Sequence, residues 1–277
     1  MSEQQRPEAR PLPGVQHVIP VASGKGGVGK STVSANLAVA LAAAGKRVGL
    51  LDADIYGPSI PTIMGVQAPL RVENERVIPA EKHGVKVISM GFFIREEQAV
   101  VWRGPMLSKM LDEFLQNVDW GELDVLVVDL PPGTGDIQLS LCQKIKLAGA
   151  VVISTPQDVA LKVAQKAISL FGLLDTPVLG LVENMSYFVC PGCGRREEIF
   201  GTGGTRRAAE SLGLPFLGEL PLVTTLRAES DAGRPPAALD PEGELGRAFR
   251  LIADRLLAEA EARSAASAEG RGASEGS

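Results

Sequence analysis

The stretch Gly24-Lys25-Gly26-Gly27-Val28-Gly29-Lys30-Ser31 constrains the fold more than any other. It fits G-x-x-x-x-G-K-[ST], and it lies between an apolar, β-prone run (18–23) and a run that reads as a helix (32–41). A strand feeding a glycine loop that opens a helix is a phosphate-binding unit. The glycines let successive backbone N–H groups converge on the phosphates, and the helix N-terminus adds partial positive charge. In such a loop Lys30 reaches the β- and γ-phosphates, and Ser31 places a hydroxyl on Mg²⁺.

The chain around the loop alternates strands and helices. Apolar runs at 47–52, 85–90, 124–129, 150–154 and 177–182 read as strands, with helices at 105–116 and 159–172 and an amphipathic final helix over 242–262. Strands that are apolar throughout, each separated by a helix, predict an α/β fold: a mostly parallel, doubly wound sheet with helices on both faces. Ligands of such sheets sit at the carboxyl ends of the strands, where acids close two of these runs. Asp129 ends the most apolar strand and is placed to hold Mg²⁺. In Leu51-Asp52-Ala53-Asp54 alternate residues share a side, so both carboxylates can face the metal and phosphates. One can hold a water of the metal and the other can orient the attacking water. Pro131-Pro132-Gly133-Thr134-Gly135 reads as a loop that senses nucleotide state, with the Gly133 N–H near the γ-phosphate. Asn184 follows a late strand, and its amide offers the donor and acceptor that suit an adenine edge.

Among 277 residues there are three cysteines. Cys190 and Cys193 flank Pro191-Gly192, a tight turn that aims both sulfurs one way and suits a soft metal, a cluster iron or a dithiol switch. Two thiolates are half of a four-thiolate site, and a second chain in a symmetric dimer can supply the other half. Cys142, in an apolar helical run, reads as core. A net charge of −5 without a basic block argues against DNA or an anionic membrane as partner. There is no run of eighteen apolar residues and no charged-then-apolar leader, so a cytoplasmic, soluble protein is expected. Residues 1–16 read as a flexible arm, 17–262 as one P-loop ATPase domain, and 263–277 as a low-complexity, disordered tail.

The loop Gly-Lys-Gly-Gly-Val-Gly-Lys-Ser resembles the deviant Walker A loop of the MinD/ParA/nitrogenase-iron-protein class. There the extra lysine, here Lys25, crosses a dimer to the partner's nucleotide as an arginine finger would. Five segments together resemble the Mrp/ApbC family of iron–sulfur cluster carrier ATPases, over residues 17–257. They are the loop itself, Leu51-Asp52-Ala53-Asp54-Ile55-Tyr56-Gly57-Pro58-Ser59, Asp129-Leu130-Pro131-Pro132-Gly133, Ser154-Thr155-Pro156-Gln157-Asp158, and Glu183-Asn184-Met185-Ser186 running on to Cys190-Pro191-Gly192-Cys193.

The resemblance implies a homodimer that binds and slowly hydrolyses ATP. It implies a labile [4Fe–4S] cluster bridged by Cys190 and Cys193 of each chain and handed to apo iron–sulfur proteins, with the cluster assembly machinery as a further partner. It gives nucleotide contacts to Gly24, Lys25, Gly26, Gly27, Val28, Gly29, Lys30, Ser31, Thr32, Gly133 and Asn184. It gives Mg²⁺ contacts to Ser31, Asp52 and Asp129, and catalytic roles to Lys25, Lys30 and Asp54, the last on the attacking water. Members often carry an N-terminal module, whereas the arm here holds no cysteine, so no second cluster is expected. Trp102-Arg103-Gly104-Pro105 also looks like the family, without an assigned role. The alternative is a zinc-bridged dimeric ATPase of MinD/ParA type that positions a partner protein.

Overall fold

A computed structural model describes residues 9–67, 71–93 and 104–274. The chain opens with β1 (Val15–Ser23), the glycine loop and α1 (Lys30–Ala43), then β2 (Val48–Asp52) and a short α2 (Ile60–Met64). A hairpin of β3 (Arg71–Glu73) and β4 (Arg76–Ile78) leads to β5 (Ala80–Lys82) and β6 (Val85–Ser89). α3 (Gly104–Gln116), β7 (Leu123–Asp129), α4 (Asp136–Lys144), β8 (Ala150–Ser154), α5 (Asp158–Leu173) and β9 (Val178–Glu183) follow. The last third holds a small hairpin of β10 (Phe188–Val189) and β11 (Arg196–Glu197), then α6 (Gly204–Leu212), β12 (Phe216–Glu219), α7 (Thr224–Asp231), α8 (Pro236–Leu239) and α9 (Glu244–Ser274).

Eight strands form one sheet in the order β12-β9-β8-β1-β7-β2-β6-β5. All neighbours are parallel except the edge strand β5, which runs antiparallel to β6. β7 shows why the strands are apolar throughout. It sends Val125 and Val127 into the layer that holds Leu37, Leu41, Phe249 and Ile252, and Leu126 and Val128 into the layer that holds Leu111, Phe114 and Phe171. Strand periodicity of two then requires both sets to be hydrophobic. Each such buried side chain stabilises the fold by roughly 1.5–3 kcal/mol. The register sets Asp52 directly beside Asp129 at the carboxyl ends of β2 and β7.

Both ends of the chain differ from expectation. Residues 9–14 are docked: Arg10 bonds backbone to backbone with Lys144 and Lys146 on either side of Ile145, and Leu12 is buried in the core. A single apolar residue in a Pro-rich segment carries no periodicity, so this contact was not legible. At the other end α9 runs on from 263 to Ser274, through the stretch read as a tail. Its alanines have the highest helix propensity and need no packing partner to continue a helix already begun. Trp102 and Arg103 lie outside the described residues.

His17 sits on β1 at 2 % exposure, and neither ring nitrogen has a hydrogen-bond partner. Burial, offset in part by Glu261 and Asp124 and reinforced by Lys46, holds its pKa below the usual 6.5. The unfolded chain therefore binds this proton more readily than the fold does. The resulting stability is complete above the unfolded value and is lost as pH falls from there through the lower, folded value. Thermal melts from about pH 8 to about pH 5.5 should show a steeper fall in wild type than in His17→Leu, which has no imidazole to charge.

Candidate functional site

The carboxyl ends of β1, β2, β7 and β9 converge on the glycine loop. Lys30, the first residue of α1, is 6 % exposed, and its Nζ lies 2.7 Å from Asp129 Oδ2 and 3.9 Å from Asp54 Oδ2. Asp129 is fully buried. Ser31 Oγ donates to its Oδ2 and Ser34 Oγ to its Oδ1, each at 2.6 Å. Ser34 was not singled out in the sequence, although it stands four residues after Lys30 and so on the same helix face. Asp52, also fully buried, accepts from Ser89 Oγ at 2.9 Å and from the backbone N–H groups of Asp54 and Ile60. Burial first and the neighbouring Asp129 second push its pKa up to about 7.

Asp54 accepts from the N–H groups of Tyr56 and Gly57. Burial raises its pKa, against the pull of Lys30. The carboxylates of Asp52, Asp54 and Asp129 thus meet one lysine and three hydroxyls, those of Ser31, Ser34 and Ser89. A buried acid pushed toward protonation, by burial first and by an adjacent acid second, marks a place that suits a cation, and one or two carboxylates with a hydroxyl are an oxygen donor set that suits Mg²⁺.

Beside this cluster is a cleft of about 670 Å³, bounded by the glycine loop and Asp54 at one end and by Asn184, Pro221, Leu222 and α7 at the other. Asn184 is 2 % exposed, and its Nδ2 donates to Val28 O at 2.8 Å while Oδ1 has no partner. The amide thus braces the loop from beneath and keeps an acceptor unspent, as recognition of an amino group on a base requires. Gly29 is obligatory at this contact. Its φ is 82°, and a Cβ there would stand 2.3 Å from Asn184 Nδ2. The wall at 221–231 was missed in the sequence. The signal available was its position after β12, since loops leaving the carboxyl edge of a parallel sheet border the ligand crevice.

Two expected contacts are engaged within the chain. Lys25 Nζ donates to Gln157 Oε1 at 3.3 Å, so its ammonium lies over its own subunit. The Gly133 N–H donates to Ser23 O at 2.9 Å rather than facing the cleft. Its loop is tied down by the buried Gln138, which donates to Pro131 O and accepts from the Gly135 N–H. Neither glutamine has a role in the sequence reading: Gln138 is a lone Gln on a helix, and Gln157 stands in the loop before α5.

The cysteine pair lies at the tip of the β10–β11 hairpin. The Cys190 N–H donates to Arg195 O, and the Gly194 N–H to Cys190 O, which closes the turn. Both thiols are unpaired, Cys193 is exposed and Cys190 half-buried. The N–H groups of Gly192 and Cys193, and then the Cys193 side chain, hold the Cys190 pKa below its usual value and so favour the thiolate. Among the described residues no group of three or more His, Cys, Asp and Glu side chains gathers to hold a metal. Cys142 is buried in the core, as expected.

Comparison with known proteins agrees with this arrangement. The family profile described as NUBPL iron-transfer P-loop NTPase matches residues 14–257. An "Iron-sulfur cluster carrier protein" of Aquifex aeolicus is 51% identical over 248 residues, covering 88% of this chain and 68% of that protein. A nucleotide-binding protein of Archaeoglobus fulgidus, solved in complex with ADP, superposes with a TM-score of 0.74 at 42% identity, over 86% of this chain and 93% of that one. The cell division ATPase MinD of Pyrococcus furiosus has a similar fold, with a TM-score of 0.67 at 22% identity over 87% and 98% of the two chains.

Proposed function

We propose that this chain, which belongs to the family of NUBPL iron-transfer P-loop NTPases, is an ATP-hydrolysing carrier that holds a labile [4Fe–4S] cluster between two subunits and hands it to apo-proteins. The observation that carries the reading is the pairing, in one chain, of a phosphate-loop cluster on the main sheet with an accessible two-thiol turn on the β10–β11 hairpin. The ATP triphosphate lies along the glycine loop. Lys30 turns from Asp129 to the β- and γ-phosphates, and this frees the Asp129 carboxylate and Ser31 Oγ for the metal, with Asp52 behind them. Mg²⁺ held there by Ser31 and Asp129 would neutralise charge that develops on the phosphate oxygens. Asp54, next to Lys30 and open to the cleft, orients the attacking water. Lys25 leaves Gln157 to serve the partner's nucleotide, and the Gly133 loop follows the γ-phosphate.

The cluster is cargo. Cys190 and Cys193 supply two of its four thiolates and a second copy supplies the others. Among the described residues no helix is long and apolar enough to cross a membrane. Thiols kept free at an exposed turn suit a reducing cytoplasm. The test is transfer. Anaerobically loaded protein should restore activity to an apo-enzyme that needs a [4Fe–4S] cluster, at a rate that Mg-ATP changes several-fold. A rate indifferent to ATP would reduce the protein to a scaffold, and no transfer at all would refute the carrier reading.

A further inference from the structure

Glu183 closes β9 and is fully buried, yet no step above uses it. Its Oε2 accepts the Thr205 N–H at 2.7 Å, at the start of α6, and its Oε1 accepts Ser186 Oγ at 2.6 Å. α6 is brought this close by Gly204, where a Cβ would stand 2.6 Å from Pro156 O. The carboxylate therefore has a helix N-terminus on one side and the turn 184–186 on the other. That turn is not relaxed on its own account: Met185 has a φ of 57°, in the left-handed region that a non-glycine residue rarely occupies.

Two functions leave this turn in opposite directions. Upstream, Asn184 points beneath the glycine loop with its free acceptor. Downstream, the chain resumes parallel pairing alongside the end of β12. The Ser186 N–H donates to Leu220 O, the Leu222 N–H to Tyr187 O, and Phe188 bridges Leu222, two residues before Cys190. Pro221 and Leu222 also line the nucleotide cleft.

We infer that Glu183 is a positioning residue whose carboxylate fixes the turn that presents Asn184 to the nucleotide base and begins the strand ending at Cys190, so that base occupancy and the cysteine hairpin share one buried anchor. The inference rests on Asn184 contacting the base.

The test compares Glu183→Gln, Ser186→Ala and Asn184→Ala with wild type. Ser186→Ala removes the bond to Glu183 and a longer one to Glu219 Oε2 but leaves the α6 cap, so it retains the fold even where Glu183→Gln loses it. Steady-state kinetics with ATP and with ITP, which lacks the amino donor, read the base contact. Mass-resolved alkylation of Cys190 and Cys193 with and without Mg-ATP reads the hairpin. Wild type should prefer ATP by about tenfold or more in KM. All three variants should cut that preference to about threefold or less, with a smaller change in kcat. In Glu183→Gln and Ser186→Ala, Mg-ATP should no longer change the alkylation rate. A lower melting temperature in those two, with the preference and the ATP effect intact, would make Glu183 merely structural and overturn the inference. Retention of the preference in Asn184→Ala would instead show that the base reading is at fault, and the inference would fall with it.

Discussion

Lys30→Ala should lower kcat/KM for ATP by about 100- to 1,000-fold, or roughly 3–4 kcal/mol of transition-state stabilisation, the usual consequence of removing one preorganised charge from a developing anion. A second effect must be separated from the first. Lys30 Nζ is 2.7 Å from the fully buried Asp129, and no other cation is that close to it among the described ion pairs. Removing one partner of a buried pair typically costs about 3–5 kcal/mol, because the remaining charge is stranded. Ser31 and Ser34 still donate to Asp129, and a proton can be taken up, so the loss should fall toward the lower end. The double variant Lys30→Ala/Asp129→Asn should therefore regain thermal stability without regaining hydrolysis. Measuring melting temperature beside turnover in both proteins checks this. Recovery of turnover in the double variant would mean that Lys30 acts only by neutralising Asp129.

Replacing Cys190 and Cys193 with serine should abolish cluster retention while leaving ATP turnover within about twofold of wild type. The hairpin is closed by backbone bonds, from the Cys190 N–H to Arg195 O and from the Gly194 N–H to Cys190 O, and these do not use sulfur. The turn should keep its shape with serines in place and lose only its soft ligands, since iron and zinc of this type take thiolate. Turnover should survive because neither thiol belongs to the cluster of Lys30, Asp54 and Asp129. A tenfold loss of turnover in the double-serine protein would contradict the separation of cargo site and motor site.

The comparison of sequence with structure has a physical pattern. Strands β1, β2, β6, β7, β8 and β9 were legible because each is buried on both faces, so position after position is apolar, whereas the short, exposed β3, β4 and β5 carry no such pattern. The phosphate loop was legible because its conformation needs glycine: φ is 79° at Gly27 and 82° at Gly29, and a Cβ at Gly29 would run into Asn184. Asp52 and Asp129 were legible because the acids end apolar strands, and the register sets them side by side. What escaped was held by single, non-periodic contacts. Leu12 docks one apolar side chain, Gln138 ties the Gly133 loop through amide bonds, and the cleft wall at 221–231 follows a four-residue strand. The same holds for Lys25: its residue type reads as a cation for a second subunit, while its bond to Gln157 depends on a loop 132 residues away. Glu183 is the extreme case, a strand-end acid like Asp52 and Asp129, but turned to a helix N-terminus and Ser186 instead of to the cluster around Lys30.

The claim on which all of this depends is that two copies of the chain share one cluster through the Cys190–Cys193 turns. Iron and acid-labile sulfide should be quantified after anaerobic reconstitution, on protein whose mass is determined in the same sample. The account predicts a dimer carrying about four iron and four sulfide per pair of chains, and a monomer-bound content near zero. Stoichiometric zinc without sulfide under the same loading, or a full cluster on a monomer, would contradict it.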